Sequence, residues 1–286
     1  MRPGSIEHTL SQERFDNEVE IAREVERYLR TGLSDSLYAA WPGTFLDRAN
    51  LARQDLRGAL LRKVRQLAEG RSTPPLPLVD VVSLTRAKVE PMVRGLFPRV
   101  EQGAILAMLE KSVVFVTSSN IEDLLLGPGF DSSAWTFANL YLASLNAPLL
   151  ADDAPSLVGL SEGGTCYLST DYFCSEDPFA DFIVHEAAHT FHNCKRTSVG
   201  LRETRTRCWL LNISFRRRET FAYCCEVYAR ILEQAKGFVK RRALANEFAR
   251  RVNIFDDRVD RAEVVAIINE AVEARNGWKV ILESNS

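Results

Sequence analysis

The chain has 286 residues, 46% hydrophobic and 26% charged, with a formal net charge of -2, which suits one large or two modest globular cores and excludes disordered, fibrous and strongly basic classes. It has no signal-like apolar stretch at the start and no run of about 18 apolar residues, so the expected address is cytoplasmic, with no membrane partner. Six cysteines, all in the C-terminal half and without CxxC pairing, read as reduced and mostly buried thiols.

In chain order, Phe15, Val19, Ala22, Val25 and Leu29 recur at helical spacing and predict an amphipathic helix ending near Gly32. A second helix is predicted over Phe45–Glu69, with Leu56, Leu60, Val64 and Leu67 on one side. The prolines of "RSTPPLPLVD" lack amide donors and fix φ, so residues 71–80 read as a linker. It divides an N-terminal helical region, 1–75, from a second domain, 76–286. Next come a helix from Ser83 that kinks or restarts near Glu90, a helix to about Glu110, and a strand in "VVFVT" (Val113–Thr117). A helix over Ser132–Leu145 takes Asp131 as its cap. "GGTCYLSTDYF" alternates as a half-exposed strand does and ends just before a histidine-bearing helix, whose start is marked by Asp177 as cap, Pro178 and Asp181. Helices over Arg216–Lys236, Phe238–Arg251 and Asp260–Ala274 follow, the last opened by the capping box Asp260–Glu263. The expected fold is mostly α (α+β): a helical bundle with a small β-sheet next to the histidine helix.

That helix, "FIVHEAAHTFHN", carries three of the four histidines in an otherwise apolar stretch. His185, Glu186 and His189 form HExxH. At 100° per residue the two histidines lie about 40° apart on one face and about 6 Å apart along the axis, so both can reach one ion. Glu186 projects beside them, within reach of a bound water. Burying these groups without partners would cost several kcal/mol, and a metal supplies a partner for both imidazoles. His192 shares the face but lies about 10 Å along the axis from His185, too far for a common ion. It reads as a residue that lines the cleft or supports a ligand, or as a plain helix-end histidine.

A third ligand must come from elsewhere. In "RRRETFAYCCEVYARIL", Glu219, Tyr223, Glu226 and Arg230 share one helical face. Glu219 is the favoured ligand, with Glu203 in "GLRETRTR" its rival; Glu226 could orient a ligand histidine, and Tyr223 could donate to an oxyanion.

"HEAAH" with "RETFAYCCE", and more weakly "GTCYLSTDYF" as an upstream strand, resembles the zincin metallopeptidases of the gluzincin type, over roughly residues 160–235. The resemblance implies a zincin-like catalytic domain holding Zn2+ through His185, His189 and Glu219, with Glu186 as general base in peptide-bond hydrolysis. It further implies oxyanion stabilisation by Tyr223, His192 or a nearby arginine, and a peptide or protein substrate paired along the strand at Leu168, Ser169 and Thr170. Gluzincins often carry an acidic residue four positions after the ligand glutamate, where this chain has Tyr223. HExxH also serves metalloenzymes that do not cut peptides, iron-dependent oxygenases among them, which makes Fe2+ the alternative ion. A silent metal-binding interaction protein is a further alternative. The arginine-rich stretch 195–218 reads either as a solvated face or as a carboxylate-recognition surface. Nucleic acid is not an expected partner, since no phosphate loop, zinc-finger spacing or basic-aromatic stripe occurs.

Overall fold

The computed structural model describes residues 4–73, 76–155, 157–251, 254 and 256–286, with side chains from residue 17 onward. Phe15 of the first stripe and the prolines at 74 and 75 lie outside the described side chains. The elements are α1 (Gly4–Thr31), α2 (Phe45–Ala68), α3 (Val81–Leu96), α4 (Arg99–Leu109), β1 (Val113–Val116), α5 (Ile121–Leu126) and α6 (Asp131–Ser144). Then follow β2 (Gly159–Glu162), β3 (Thr165–Ser169), α7 (Phe182–Asn193), α8 (Arg218–Gln234), α9 (Phe238–Arg251), α10 (Arg261–Glu273) and α11 (Gly277–Asn285). The protein is mostly helical, with a three-stranded sheet in the order β1-β3-β2. No described helix is long and apolar enough to cross a membrane.

The chain forms two units, residues 1–74 with 116–157 and residues 75–115 with 158–286. Residues 116–157, expected in the second domain, therefore group with the first. The reason is packing: α5 and α6 cover the apolar stripe of α2, where Leu56, Leu60 and Val64 are buried. A proline-rich crossing marks where the chain leaves a unit and is silent on whether it returns.

In the first unit α2 is opened by a reciprocal capping box between Thr44 and Asp47. The same helix buries Arg57, whose Nε donates to Asp131 Oδ1 at 3.0 Å and whose other nitrogens donate to the carbonyls of Leu125, Gly127 and Gly129. This cluster corrects the expected role of Asp131. It is the first residue of α6 rather than its cap; Phe130 holds the cap position without a side-chain bond, and the Asp131 carboxylate serves Arg57 instead. Truncation by Asp131→Ala leaves a buried guanidinium without its counter-charge. The expected loss is about 3 kcal/mol in chemical denaturation of the full chain; a loss under about 1 kcal/mol would show that the carbonyls alone hold it.

In the second unit α3 runs unbroken through Pro91, with Val89, Met92 and Val93 buried on both sides of it. Tertiary packing offsets the one lost backbone bond. The strands β2 and β3 form an antiparallel hairpin closed by the pair Glu162↔Thr165, leaving Gly163-Gly164 as the loop. Gly163 takes φ +60, which a two-residue hairpin turn needs. Asp260 caps α10 by accepting from the Ala262 amide, but the second half of the expected box is missing because Glu263 pairs with Arg217 at 2.7 Å. Around this frame, α7, α8, α10 and α11 bury one apolar core that includes Phe191, Phe221, Ile231, Ile268 and Trp278.

Candidate metal centre

The helix α7 starts later than Asp177 and Pro178 suggest. Its N-cap is Asp181, whose carboxylate accepts from the Val184 amide; Asp177 instead accepts from the Phe179 amide in the preceding turn. A buried cap is costly unless every lone pair is used. Here Asp181 Oδ2 also pairs with Lys88 at 3.0 Å, and its own amide donates to Glu226 Oε1 at 2.7 Å. Ile183, Val184, Ala187, Ala188 and Phe191 are fully buried, so α7 is wedged between α8 and the sheet. That leaves one face for His185, Glu186 and His189.

The donor atoms of His185, His189 and Glu219 converge within 4.8 Å of one another. Glu219 comes from the first turn of α8, which packs along α7. Its Oε2 lies 3.2 Å from His189 Nε2 and 3.9 Å from His185 Nε2. Its Oε1 is turned away toward Arg258, at 3.1 Å, and Arg218, at 3.4 Å. Burial disfavours the Glu219 anion, but His189, Arg258 and His185 outweigh it and hold the carboxyl down at about 2.

One turn pair further along α8, Glu226 Oε2 sits 3.0 Å from His185 Nδ1. The carboxylate thus grips the imidazole from behind and the α7 cap amide with its other oxygen, which fixes the ring and leaves Nε2 facing Glu219. Burial pulls the His185 pKa down, yet the Glu226 hydrogen bond and the Glu226, Glu186 and Glu219 charges raise it to about 9. The carboxylates around His185 thus favour positive charge on or beside its ring. Two imidazole nitrogens and one carboxylate oxygen form the donor set of open, catalytic zinc sites, so the residues fit a zinc ion. With Glu226→Ala, divalent-metal affinity is expected to fall by roughly 10- to 100-fold while binding persists, as competition with a chromogenic chelator would show.

Glu186 is set by β2. Ser161 Oγ lies 2.6 Å from Glu186 Oε2 and 2.8 Å from its carbonyl oxygen. Gly159, two residues earlier on the same strand, lies flat against the side chain: a Cβ there would stand 2.7 Å from both Cγ and Oε1 of Glu186. Tyr223 packs edge-on against His185 with ring centres 4.8 Å apart. Burial first, then the Glu226, Asp256 and Glu219 charges, push its pKa up to about 12, so it keeps its proton. The His192 ring stands 5.3 Å from that of His189, and its Nδ1 is buried without a hydrogen-bond partner among the described residues. Burial, with His189 and the Arg218 guanidinium nearby, lowers the His192 pKa to about 4 and keeps that ring neutral.

Other sequence candidates lie elsewhere. Glu203 is exposed and outside the cluster. The expected substrate strand is corrected: β3 is the central strand, paired on both sides, so it has no free edge for a peptide. Leu168, Ser169 and Thr170 are 0%, 1% and 2% exposed. Of the arginine-rich stretch, Arg196 is buried against Glu101 at 2.6 Å, Arg217 is tied to Glu263, and Arg218 alone reaches the centre; Arg202, Arg205 and Arg207 are exposed. Gly159, Ser161 and Arg258 were not singled out by the sequence. A glycine inside a strand pattern signals a close approach and could have marked the first; nothing local marks Arg258, which arrives from the α9–α10 connection. No protein-family profile, curated protein or solved structure matches the chain.

Proposed function

We propose that the chain is a zinc-dependent peptidase with a zincin-like catalytic unit, hydrolysing an intracellular peptide or protein. The observation that carries this reading is the convergence of His185, His189 and Glu219 in front of Glu226, with Glu186 seated beside them. Zinc bound there supplies a Lewis acid for a carbonyl oxygen and an acidified water. Glu186, aimed by Ser161 and Gly159, takes the proton from water and delivers it to the leaving amine. Tyr223, still protonated near neutral pH, donates to the oxygen on which charge develops. Glu226 keeps the His185 ring in one orientation, and Arg258 holds the second oxygen of Glu219 away from the donor atoms. Six unpaired thiols, Cys174 and Cys208 among them exposed, suit a reducing compartment.

The test is incubation of a defined mixture of unstructured peptides with metal-stripped, zinc-loaded and iron-loaded protein, read by mass spectrometry. New termini formed by the zinc form alone are expected. Oxidised, uncleaved peptides from the iron form would replace the peptidase reading with an oxygenase one, and unchanged peptides in all arms would remove the enzymatic reading.

A further inference from the structure

Between α7 and α8 the chain makes an excursion that is tied together by backbone and side chain. Lys195 and Trp209 pair across its base as an antiparallel bridge, and Thr204 and Arg207 exchange two backbone bonds of 3.2 Å at its tip. Asn212 Nδ2 donates to the Thr206 carbonyl at 2.8 Å. The inner tie is Arg196, only 4% exposed. Its Nη2 donates to Glu101 Oε1 on α4 at 2.6 Å, and its Nε donates to the Arg202 carbonyl at 2.8 Å. A merely solvated loop has no need of a buried Arg–Glu pair, whose desolvation is costly. Holding the backbone this way lowers the ordering cost of any partner that the projecting side chains meet.

Four of those side chains, Lys195, Arg202, Arg205 and Arg207, are exposed cations. None has an ion-pair partner among the described residues. Glu203 is the single acidic residue from Lys195 to Arg218. Like charges gathered on one short excursion repel, and an anionic partner relieves them. The size of that partner follows from the charge of the whole chain. With a net charge of -2 and screening over about 8 Å, the protein offers no long-range attraction to a nucleic-acid duplex or an anionic membrane. A short acidic segment meets the excursion alone. Guanidinium groups, present at three of the four positions, bind carboxylates bidentately.

The excursion also borders the candidate metal centre. Trp209 at its base lines one cavity together with His192, whose ring stands 5.3 Å from that of His189. We propose that it is a docking site for an acidic segment of a polypeptide substrate, set apart along the substrate from the bond that is cut. The inference rests on the peptidase reading and adds an acidic substrate class to it.

The test is a calorimetric titration of the full chain, zinc-loaded and metal-stripped, with two unstructured peptides that differ only in a run of glutamates replaced by glutamines. Exposed charge pairs each raise affinity by about 1.5- to 5-fold, so the glutamate peptide is expected to bind roughly tenfold tighter at low salt, in both metal states. The difference should shrink as salt is raised. Arg205→Gln combined with Arg207→Gln should remove most of it, and Arg205→Lys combined with Arg207→Lys should keep most of it. Lys236→Gln with Lys240→Gln, the same change in net charge beyond the far end of α8 from Glu219, should leave it intact. Equal affinity for the two peptides, a difference untouched by the arginine-to-glutamine variant, or one lost equally in the lysine variant overturns the docking site. So does tighter binding of duplex DNA or phosphatidylserine vesicles than of the glutamate peptide. Each of these results leaves cleavage of neutral peptides, and the peptidase reading, standing. A chain that cuts nothing yet keeps its preference for glutamate loses the peptidase reading and retains the acidic-peptide site.

Discussion

Glu219→Ala is expected to cost the protein its metal. Purified wild type should carry close to one equivalent of zinc after dialysis and the variant essentially none, while Glu203→Ala, altering an exposed side chain, should match wild type. The loss in affinity should exceed the roughly 100-fold upper range for a residue that only orients a ligand, because a donor atom is removed outright. The variant also leaves Arg258 and Arg218 facing two histidines without the carboxylate between them, so positive charge accumulates where the ion would sit. Zinc retained at full occupancy in Glu219→Ala would mean that the three donor atoms converge without forming the site.

Glu186→Gln separates chemistry from metal binding. The amide keeps the shape that Gly159 and Ser161 enclose but cannot accept a proton at neutral pH, so zinc content should be unchanged while hydrolysis falls by roughly 10²- to 10⁴-fold. Gly159→Ala approaches the same step from the strand. A methyl group placed 2.7 Å from Glu186 must displace either the carboxylate or β2, and a shift of about 1 Å can cost on the order of 10²-fold in rate. Its zinc content should again equal that of wild type. If Glu186→Gln cuts the peptide mixture at the wild-type rate with its metal in place, a different group is the base.

Much of the second unit was legible because its signals are local. The HExxH spacing on a 3.6-residue helix and the i, i+7 relation between Glu219 and Glu226 are statements about one helix each, and α7 and α8 need only pack along each other for both to act. The start of α7 was misplaced because Asp177 and Asp181 are equally good caps in isolation; the choice was made by Glu226 and Lys88, which are remote in sequence. Likewise β2 went unrecognised, although Gly163-Gly164 between two short runs is a hairpin signal, because "GLSE" is too short and polar to announce a strand. Missing it placed β3 at an edge. Asp131 has the local signature of a cap, and only Arg57, far earlier in the chain and buried beside it, gives its carboxylate another partner. Arg258 illustrates the limit: nothing in its own stretch of sequence announces that this exposed arginine will stand beside Glu219.

The contact between β2 and Glu186 also yields a way to recognise other chains of this design. Ser161 and Glu186 are 25 residues apart, and the glycine precedes the serine by two. A Gly-x-Ser strand at that distance ahead of HExxH, joined to a short hairpin by paired glycines, is therefore a combined pattern that can be sought in bare sequence. It selects for a seated base as well as for a pair of ligands, which the five-residue motif by itself cannot do.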